Sequence, residues 1–594
     1  MRISRIKITN FANFAELDVS TDQSLVIVGE NKVGKSNLVF ALQLVLDPSL
    51  SERDRRLGLE HFWDGLGADK LGSTVEIAVE LTDYDDDVRL IAHLGDCIID
   101  PGPPMVSRLT YRFQPKEELE ADPATLADYD YIIFGGTDPN NDVSSSLRRM
   151  LPLDVMSALR DAEKDLANWR RSPLRPLIDA MAENLDEAAR DEIQDQVDTA
   201  QHELTEHEEV DAVAQTIKQR LIDIVGSQHA TTVSLGLSPT RVDALLRALR
   251  ILIDGGSRGM GEASLGTANL IFLALKSLEL DQLVEDGDRD HTFLAVEEPE
   301  AHLHPHVQRL VYRYFLAEID GDEGESSRLT TILTTHSPHI ASVAPLRSII
   351  LLRYDSATSS TKGVSTALTP LTDDDEADLQ RYIDVTRGEI FFARGVVLVE
   401  GDAERFVVPA FADVLGISLD VLGISVCSVA GTNFAPYVKL LGPTGLNIPF
   451  VVLTDRDPVE GRAPRALARI RKLLDIVDAD GDHADLAETA LFARGRQHGL
   501  FTNGNTLEPA LFEMGLAEAM QEILLNALPL GQGSKDLLDG WVADTDTLDP
   551  EKLLNLIDRV GKGRFAQMLA PSIEADHCPV YIKRALERIR DVVT

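Results

Sequence analysis

A chain of 594 residues carries 98 acidic against 57 basic side chains, a net charge of −41, and is 44% apolar. The length requires more than one domain, the composition excludes a disordered chain, and no apolar run reaches the roughly 18 residues of a membrane-spanning helix. The acidity excludes nucleic-acid binding through the overall field, so any such contact needs a local basic face or bound cations.

Met1 to Ile6 reads as an amphipathic strand without the longer apolar core of a signal peptide. Cys97, Cys427 and Cys578 are isolated, which argues against a disulfide framework or zinc site and fits a cytoplasmic protein. Residues 1–150 are expected to be strand-rich. Leu25 to Val28 leads into a Gly-rich loop, Ser36 to Val45 reads as a helix, and Val75 to Leu81 and Val106 to Phe113 alternate as strands do. From Leu151 to Ile224 the period becomes helical, which predicts a helical insertion over 151–230; the same pattern fits an ordinary helical subdomain. Over 231–390, Thr231 to Leu237 reads as sheet, Val242 to Ile253 and Ala268 to Leu280 as helices, and Thr292 to Val296 and Thr331 to Leu333 as buried strands. A polar stretch from Asp355 to Glu376 closes this part. From Phe391 strand and helix alternate to Asp457, and the chain is then mainly helical to Thr594. No fixed-period repeat is present.

Gly29 to Ser36 reads G-x-x-x-x-G-K-S between a strand and a helix, the context that makes this a phosphate-binding loop. Gly29, Asn31, Gly34, Lys35, Ser36 and Asn37 are the candidate ATP contacts, with Lys35 on the β and γ oxygens and Ser36 on Mg²⁺. A second apolar strand ends in Glu297-Glu298-Pro299-Glu300, where Glu297 suits Mg²⁺ binding through water and Glu298 suits polarising the attacking water. A third ends at Thr335-His336-Ser337, placing His336 to contact the γ-phosphate or orient Glu298. His302, His304 and His306 lack further ligand types and read as a connecting turn.

A second constellation follows. The strand Val396 to Val399 ends in Glu400, with Glu404 one helical turn on, and the strand Phe450 to Leu453 ends in Asp455-Arg456-Asp457. Carboxylates at strand C-termini suit Mg²⁺, Mn²⁺ or another divalent ion, and two such ions can act on a phosphodiester. Asp455 is expected to bridge the ions, with Glu400, Glu404 and Asp457 completing the site. Arg462, Arg465, Arg469 and Lys472 recur at helical spacing beside it and form a candidate phosphate-binding face for DNA; a solvated helix fits equally. Lys583, Arg584, Arg588 and Arg590 form a second such face. No base-reading motif is visible.

E-E-P-E-A-H-L-H-P followed by T-T-H-S-P resembles the ABC-type ATPases of the SMC and RecF kind. Strand-E-G-x-x-E plus strand-D-x-D, with Ser428 to Phe434 as a strand and glycine turn between them, resembles the Toprim fold. The two together resemble the OLD (overcoming lysogenization defect) family of nucleases. The resemblance implies an α/β chain: an ABC ATPase domain interrupted by a helical insertion that dimerises, then a Toprim domain with helical additions over 391–594. It implies a homodimer or higher oligomer with ATP sandwiched between protomers. Ser264 to Asn269 stands for the signature segment, with Ser264 and Gly266 on the γ-phosphate, although it departs from L-S-G-G-Q. Glu297 stands where the wider family has Asp, and Gln114 is the candidate for the glutamine loop. Thr506-Leu507-Glu508 adds Glu508 to the metal ligands, and the motif beginning at Lys562 nominates that lysine to stabilise phosphorane-like charge. The resemblance further implies DNA as substrate, a role in phage defence and, for some relatives, a UvrD-like helicase partner. Two other readings remain at this stage: an ATP-driven DNA clamp or scaffold with an inactive Toprim module, and a primase or topoisomerase using Tyr437 or Tyr581.

Overall fold

The computed structural model describes residues 1–22, 24–157, 166, 172–228, 231, 235, 241–317, 328–341, 343–383, 387–458, 463–504 and 506–594. Arg462 and all but two positions of 231–237 lie outside them. The chain forms two compact units, one of residues 1–156, 293–300 and 305–594 and one of residues 157–292 and 301–304.

The first unit opens with β1 (Arg2–Phe11), β2 (Phe14–Ser20) and β3 (Leu25–Gly29), followed by the helix α1 (Lys35–Leu46). Strands β4 (Val75–Thr82), β5 (Ile98–Asp100), β6 (Val106–Pro115) and β7 (Tyr129–Gly135) join β1 and β2 in a sheet ordered β2-β1-β4-β6-β5, with β7 also on β6. These pairings are antiparallel. Alternation places Ile6 and Ile8 in the core, and a register shift between Ile3 and Arg5 brings Ile3 to the same face. A short strand, β8 (Leu153–Met156), ends this part. The helical period from Leu151 therefore starts too early: Leu153 to Met156 pair in parallel with Phe293 to Val296, and this distant partner overrides local preference.

The second unit carries the helices Leu174–Asn184, Glu187–Thr205, Glu208–Val225 and Leu265–Glu285. The expected helix from Val242 stops at Leu246, and β9 (Leu252–Ile253) pairs with β10 (Arg258–Gly259) as a small hairpin. Two β-branched isoleucines at 251 and 253 favour the extended form there.

The first unit resumes with β11 (Thr292–Glu297), β12 (Leu329–Thr335), β13 (Ile349–Asp355) and β14 (Ser360–Ser365), which join β3 and β8 in the order β14-β13-β3-β12-β11-β8. β3 lies parallel to both β12 and β13. It is apolar and buried throughout, as a strand covered on both faces must be. The polar stretch expected from Asp355 contains β14, whose Thr361 and Ser360 are fully buried against β13.

The last sheet runs β16-β15-β17-β18, all parallel, from β15 (Gly395–Val399), β16 (Ile424–Ser428), β17 (Phe450–Thr454) and β18 (Leu500–Thr502). Of the strand and glycine turn expected over Ser428 to Phe434, the strand ends at Ser428 and the turn follows, with Ala430 at φ +54 and Gly431 at φ +149. The chain steps from β15 to one side and returns to the other, so a crevice opens at the carboxyl ends of β15 and β17. The C-terminal helix Val580–Val593 buries Ile582, Leu586 and Ile589 at spacings of four and three. Those three side chains contribute roughly 5 kcal/mol of apolar burial. Among the described residues no helix is long and apolar enough to cross a membrane.

Candidate active site

β3 ends at Gly29, where the chain leaves the sheet for the phosphate loop. Gly34 stands at φ +94, and a Cβ there would lie 2.1 Å from Asn13 Nδ2, so the position admits only glycine. Asn13 fixes the loop. Its Nδ2 donates to the Val33 carbonyl and to Thr361 Oγ1, each at 2.6 Å, and its Oδ1 accepts from Asn37 Nδ2 at 2.8 Å. Asn13 belongs to no motif and escapes sequence reading. Lys35 Nζ donates to the carbonyls of Gly29 at 2.9 Å and Glu30 at 3.2 Å. Burial lowers its pKa against the opposing pull of Glu298 and Glu300. Asn31 and Ser36 are exposed, and the start of α1 offers free N–H groups suited to phosphate.

Glu298 follows β11 in the left-handed region at φ +44, a conformation costing a non-glycine residue roughly 1–3 kcal/mol and typical of functional sites. Its N–H donates to the Thr334 carbonyl at 3.0 Å, and its Oε1 lies 3.3 Å from His336 Nδ1. Glu300, which the motifs leave without a role, is buried. It accepts from Thr335 Oγ1 at 2.8 Å, from the His336 N–H at 3.2 Å and from the Tyr312 hydroxyl at 2.7 Å. It therefore sets the His336 loop. Glu297 Oε1 is buried with no hydrogen-bond partner. A cation or its bound water would satisfy that oxygen, so the donor set fits the Mg²⁺ of a bound nucleotide. In the second unit, Ser264 caps the helix Leu265–Glu285 by accepting from the Thr267 N–H at 3.1 Å. A Cβ on Gly266 would come 2.7 Å from the His302 carbonyl oxygen. Gln114 sits near the end of β6, beside Asp130 of β7.

At the crevice between β15 and β17, Glu400 is the first residue past β15. Its Oε1 accepts from Thr454 Oγ1 at 2.5 Å, from the Asp455 N–H at 2.9 Å and from Arg469 Nη1 at 2.7 Å. Glu404 projects from the helix Asp402–Val414 and Glu508 from the helix Leu507–Leu511; both are buried. The Glu404 carboxyl is pushed up to about 7, first by burial and then by Glu400 and Glu508. Asp455 is pushed up to about 8, first by burial and then by Glu400, Glu404 and Glu508. Four carboxylates thus share one pocket in which the ionised forms repel one another. Lys562 begins the helix Lys562–Leu569 with Nζ 3.6 Å from Glu508 Oε1. Burial opposes its charge, but Glu508, Asp558 and Asp455 together hold its pKa above the ordinary value.

As the side chains lie, no three His, Cys, Asp or Glu among the described residues stand in ion-gripping geometry. Protein donors occupy the oxygens instead. Asn503 Nδ2 donates to Asp455 Oδ1, and Asn503 Oδ1 accepts the Arg456 N–H at 2.9 Å. The Tyr581 hydroxyl also bonds Asn503, and burial beside Asp455 and Glu404 pushes its pKa well up. The hard oxygen set fits a divalent ion such as Mg²⁺ or Mn²⁺, which would relieve the repulsion. Asp457 stands at φ +50, and its Oδ2 accepts from Arg469 Nη2 at 2.8 Å, the guanidinium that also reaches Glu400.

Arg469 corrects the expected basic face, because it points into the acidic pocket while Arg465 and Lys472 are exposed. On the C-terminal helix Lys583 and Arg584 are exposed, and Arg590 is paired with Asp591 at 2.7 Å. Asn503 and Thr454 escape sequence reading; only their places, one residue past β18 and the last of β17, could have marked them.

Comparison with known proteins matches residues 391–457 to the family described as "Overcoming lysogenization defect protein-like, TOPRIM domain" and residues 144–341 to the family described as "AAA ATPase domain". The chain is 26% identical over 531 residues to the uncharacterized protein YbjD of Escherichia coli, covering 85% of this chain and 87% of that protein. It is 24% identical to the OLD nuclease of Thermus scotoductus, covering 79% and 84%. The C-terminal region of the Xanthomonas campestris OLD protein is 56% identical, with 34% of this chain covering 97% of that structure at a TM-score of 0.33.

Proposed function

The chain belongs to the overcoming lysogenization defect (OLD) family of ATPase–Toprim enzymes, and from that premise we propose that it is a metal-dependent DNA endonuclease governed by its ATPase half. The observation that carries this reading is the meeting of Glu400, Glu404, Asp455 and Glu508 at the carboxyl ends of neighbouring parallel strands, with Lys562 beside them. Those four carboxylates would hold the divalent ions, which supply Lewis-acid stabilisation of a phosphodiester under attack. Asn503 and Thr454 orient the carboxylates. Lys562 brings a fixed positive charge to the oxygens of the scissile phosphate. In the ATPase half, Lys35 holds the β and γ phosphates, and Ser36 and Glu297 take the nucleotide's Mg²⁺. Glu298, oriented by His336 and through it by Glu300, polarises the attacking water. Ser264 and Gly266 meet the γ-phosphate of a second copy's nucleotide, which makes the working form a homodimer or larger. DNA is the substrate, and the exposed bases Arg465, Lys472, Lys583 and Arg584 give an acidic protein its local contacts. Phage defence and a UvrD-like helicase partner follow from family analogy.

The test is cleavage of supercoiled and linear plasmid with Mg²⁺ or Mn²⁺, with and without ATP. Wild-type protein nicks or cuts in the presence of a divalent ion, and Asp455→Ala does not. Equal cleavage by Asp455→Ala, or none by wild type with any divalent ion, overturns the nuclease reading and leaves an ATP-driven clamp.

A further inference from the structure

The helix Arg465–Val477 turns one guanidinium inward. Arg469 is only 12% exposed. Its Nη1 donates to Glu400 Oε1 at 2.7 Å, to the Asp455 carbonyl at 3.1 Å and to the Thr454 hydroxyl, and its Nη2 donates to Asp457 Oδ2 at 2.8 Å. One side chain therefore ties the end of β15 to the end of β17. The planar fork of an arginine can satisfy these acceptors together, whereas a lysine cannot. A permanently charged group buried against carboxylates is also, in electrostatic terms, a cation already in the pocket.

We propose that Arg469 is a positioning residue acting as the pocket's built-in cation. It holds Glu400 and Asp457 in place before any ion arrives, and its charge weakens the pocket's grip on divalent ions until substrate is present. The charge balance supports this. Glu400, Glu404, Asp455, Asp457 and Glu508 face Arg469 and Lys562, so two divalent ions overfill the pocket by one positive charge. A single phosphodiester supplies the missing negative charge. Without Arg469 the pocket accepts both ions with no DNA bound, and the ordering of ion and substrate is lost. The inference rests on the metal-dependent nuclease reading and assigns a role to a residue outside the ligand set.

Mn²⁺ binding to the full chain without DNA, followed by paramagnetic resonance or calorimetry, decides it alongside plasmid cleavage. Removing one positive charge from a pocket that takes up divalent ions tightens Mn²⁺ binding, by on the order of tenfold for charges a few ångströms apart even at the dielectric of water. The expected result is therefore that Arg469→Gln binds Mn²⁺ about tenfold more tightly yet cleaves at least tenfold more slowly. Arg469→Lys keeps the charge, so its Mn²⁺ affinity stays within about threefold of wild type while its cleavage falls. A purely structural role makes affinity and cleavage fall together in Arg469→Gln, and that result overturns the proposal. So does equally tightened binding in Arg469→Lys. Should metal-free Arg469→Gln be unfolded, circular dichroism with millimolar Mn²⁺ replaces the titration: recovery of the fold supports the built-in cation, and no recovery overturns it. Wild-type protein that binds no Mn²⁺ overturns the nuclease reading as well, whereas wild-type binding and cleavage with no tightening in the variant overturns only the role of Arg469.

Discussion

Asp455→Asn replaces the most strongly perturbed carboxyl of the pocket with a neutral group of the same shape. The amide oxygen can still accept from Asn503 Nδ2, and the backbone N–H still reaches Glu400 Oε1. Only the charge is lost. A carboxyl raised from 3.8 to about 8 costs the ion-free fold on the order of 4 kcal/mol at pH 7, shared among its coupled neighbours. The sign follows from the direction of the shift. The folded state holds this proton more tightly than the unfolded state, so the stability it contributes is complete below pH 3.8 and lost as pH rises toward 8. In metal-free buffer at pH 8, Asp455→Asn therefore melts about 5 °C above wild type, with a smaller gain at pH 5. Added Mg²⁺ raises the melting temperature of wild type more than that of the variant. Scanning calorimetry at the two pH values is the assay. A variant less stable than wild type at pH 8, or a gain equal at both pH values, would refute the picture of mutually repelling acids.

Further outcomes follow from the same geometry. Lys35→Ala loses ATP binding by at least tenfold in a fluorescent-nucleotide titration, because Lys35 supplies the buried cation of the phosphate loop. Glu298→Gln keeps ATP binding and loses about 100-fold in hydrolysis, measured by phosphate release, because only the polarisation of water is removed. Lys562→Met leaves Mn²⁺ affinity the same or tighter and cuts the cleavage rate by about 100-fold in single-turnover assays; weakened Mn²⁺ binding in this variant would place Lys562 in the scaffold instead.

The motif residues were legible where chemistry demands a fixed local spacing. G-x-x-x-x-G-K-S announces α1 and its loop, and an apolar run ending in Glu297-Glu298 or in Asp455 announces the carboxyl end of a buried strand. The partners that make those residues work were not legible. Asn13, Glu300 and Asn503 lie 24, 36 and 48 residues from the groups they hold, and only the sheet order brings them together. Arg469 had the helical spacing of a solvated basic face, and nothing in that period says which arginine points inward. β8 was missed because four residues carry too little period to outweigh the helical composition that follows, and its identity as a strand depends on pairing with β11 more than a hundred residues later.

Anomalous diffraction from crystals soaked in Mn²⁺ bears most directly on the central idea. The expected map shows Mn²⁺ density among Glu400, Glu404, Asp455 and Glu508, in contact with their carboxylate oxygens. Density confined to other acidic surfaces, or none in that crevice at millimolar Mn²⁺, contradicts it.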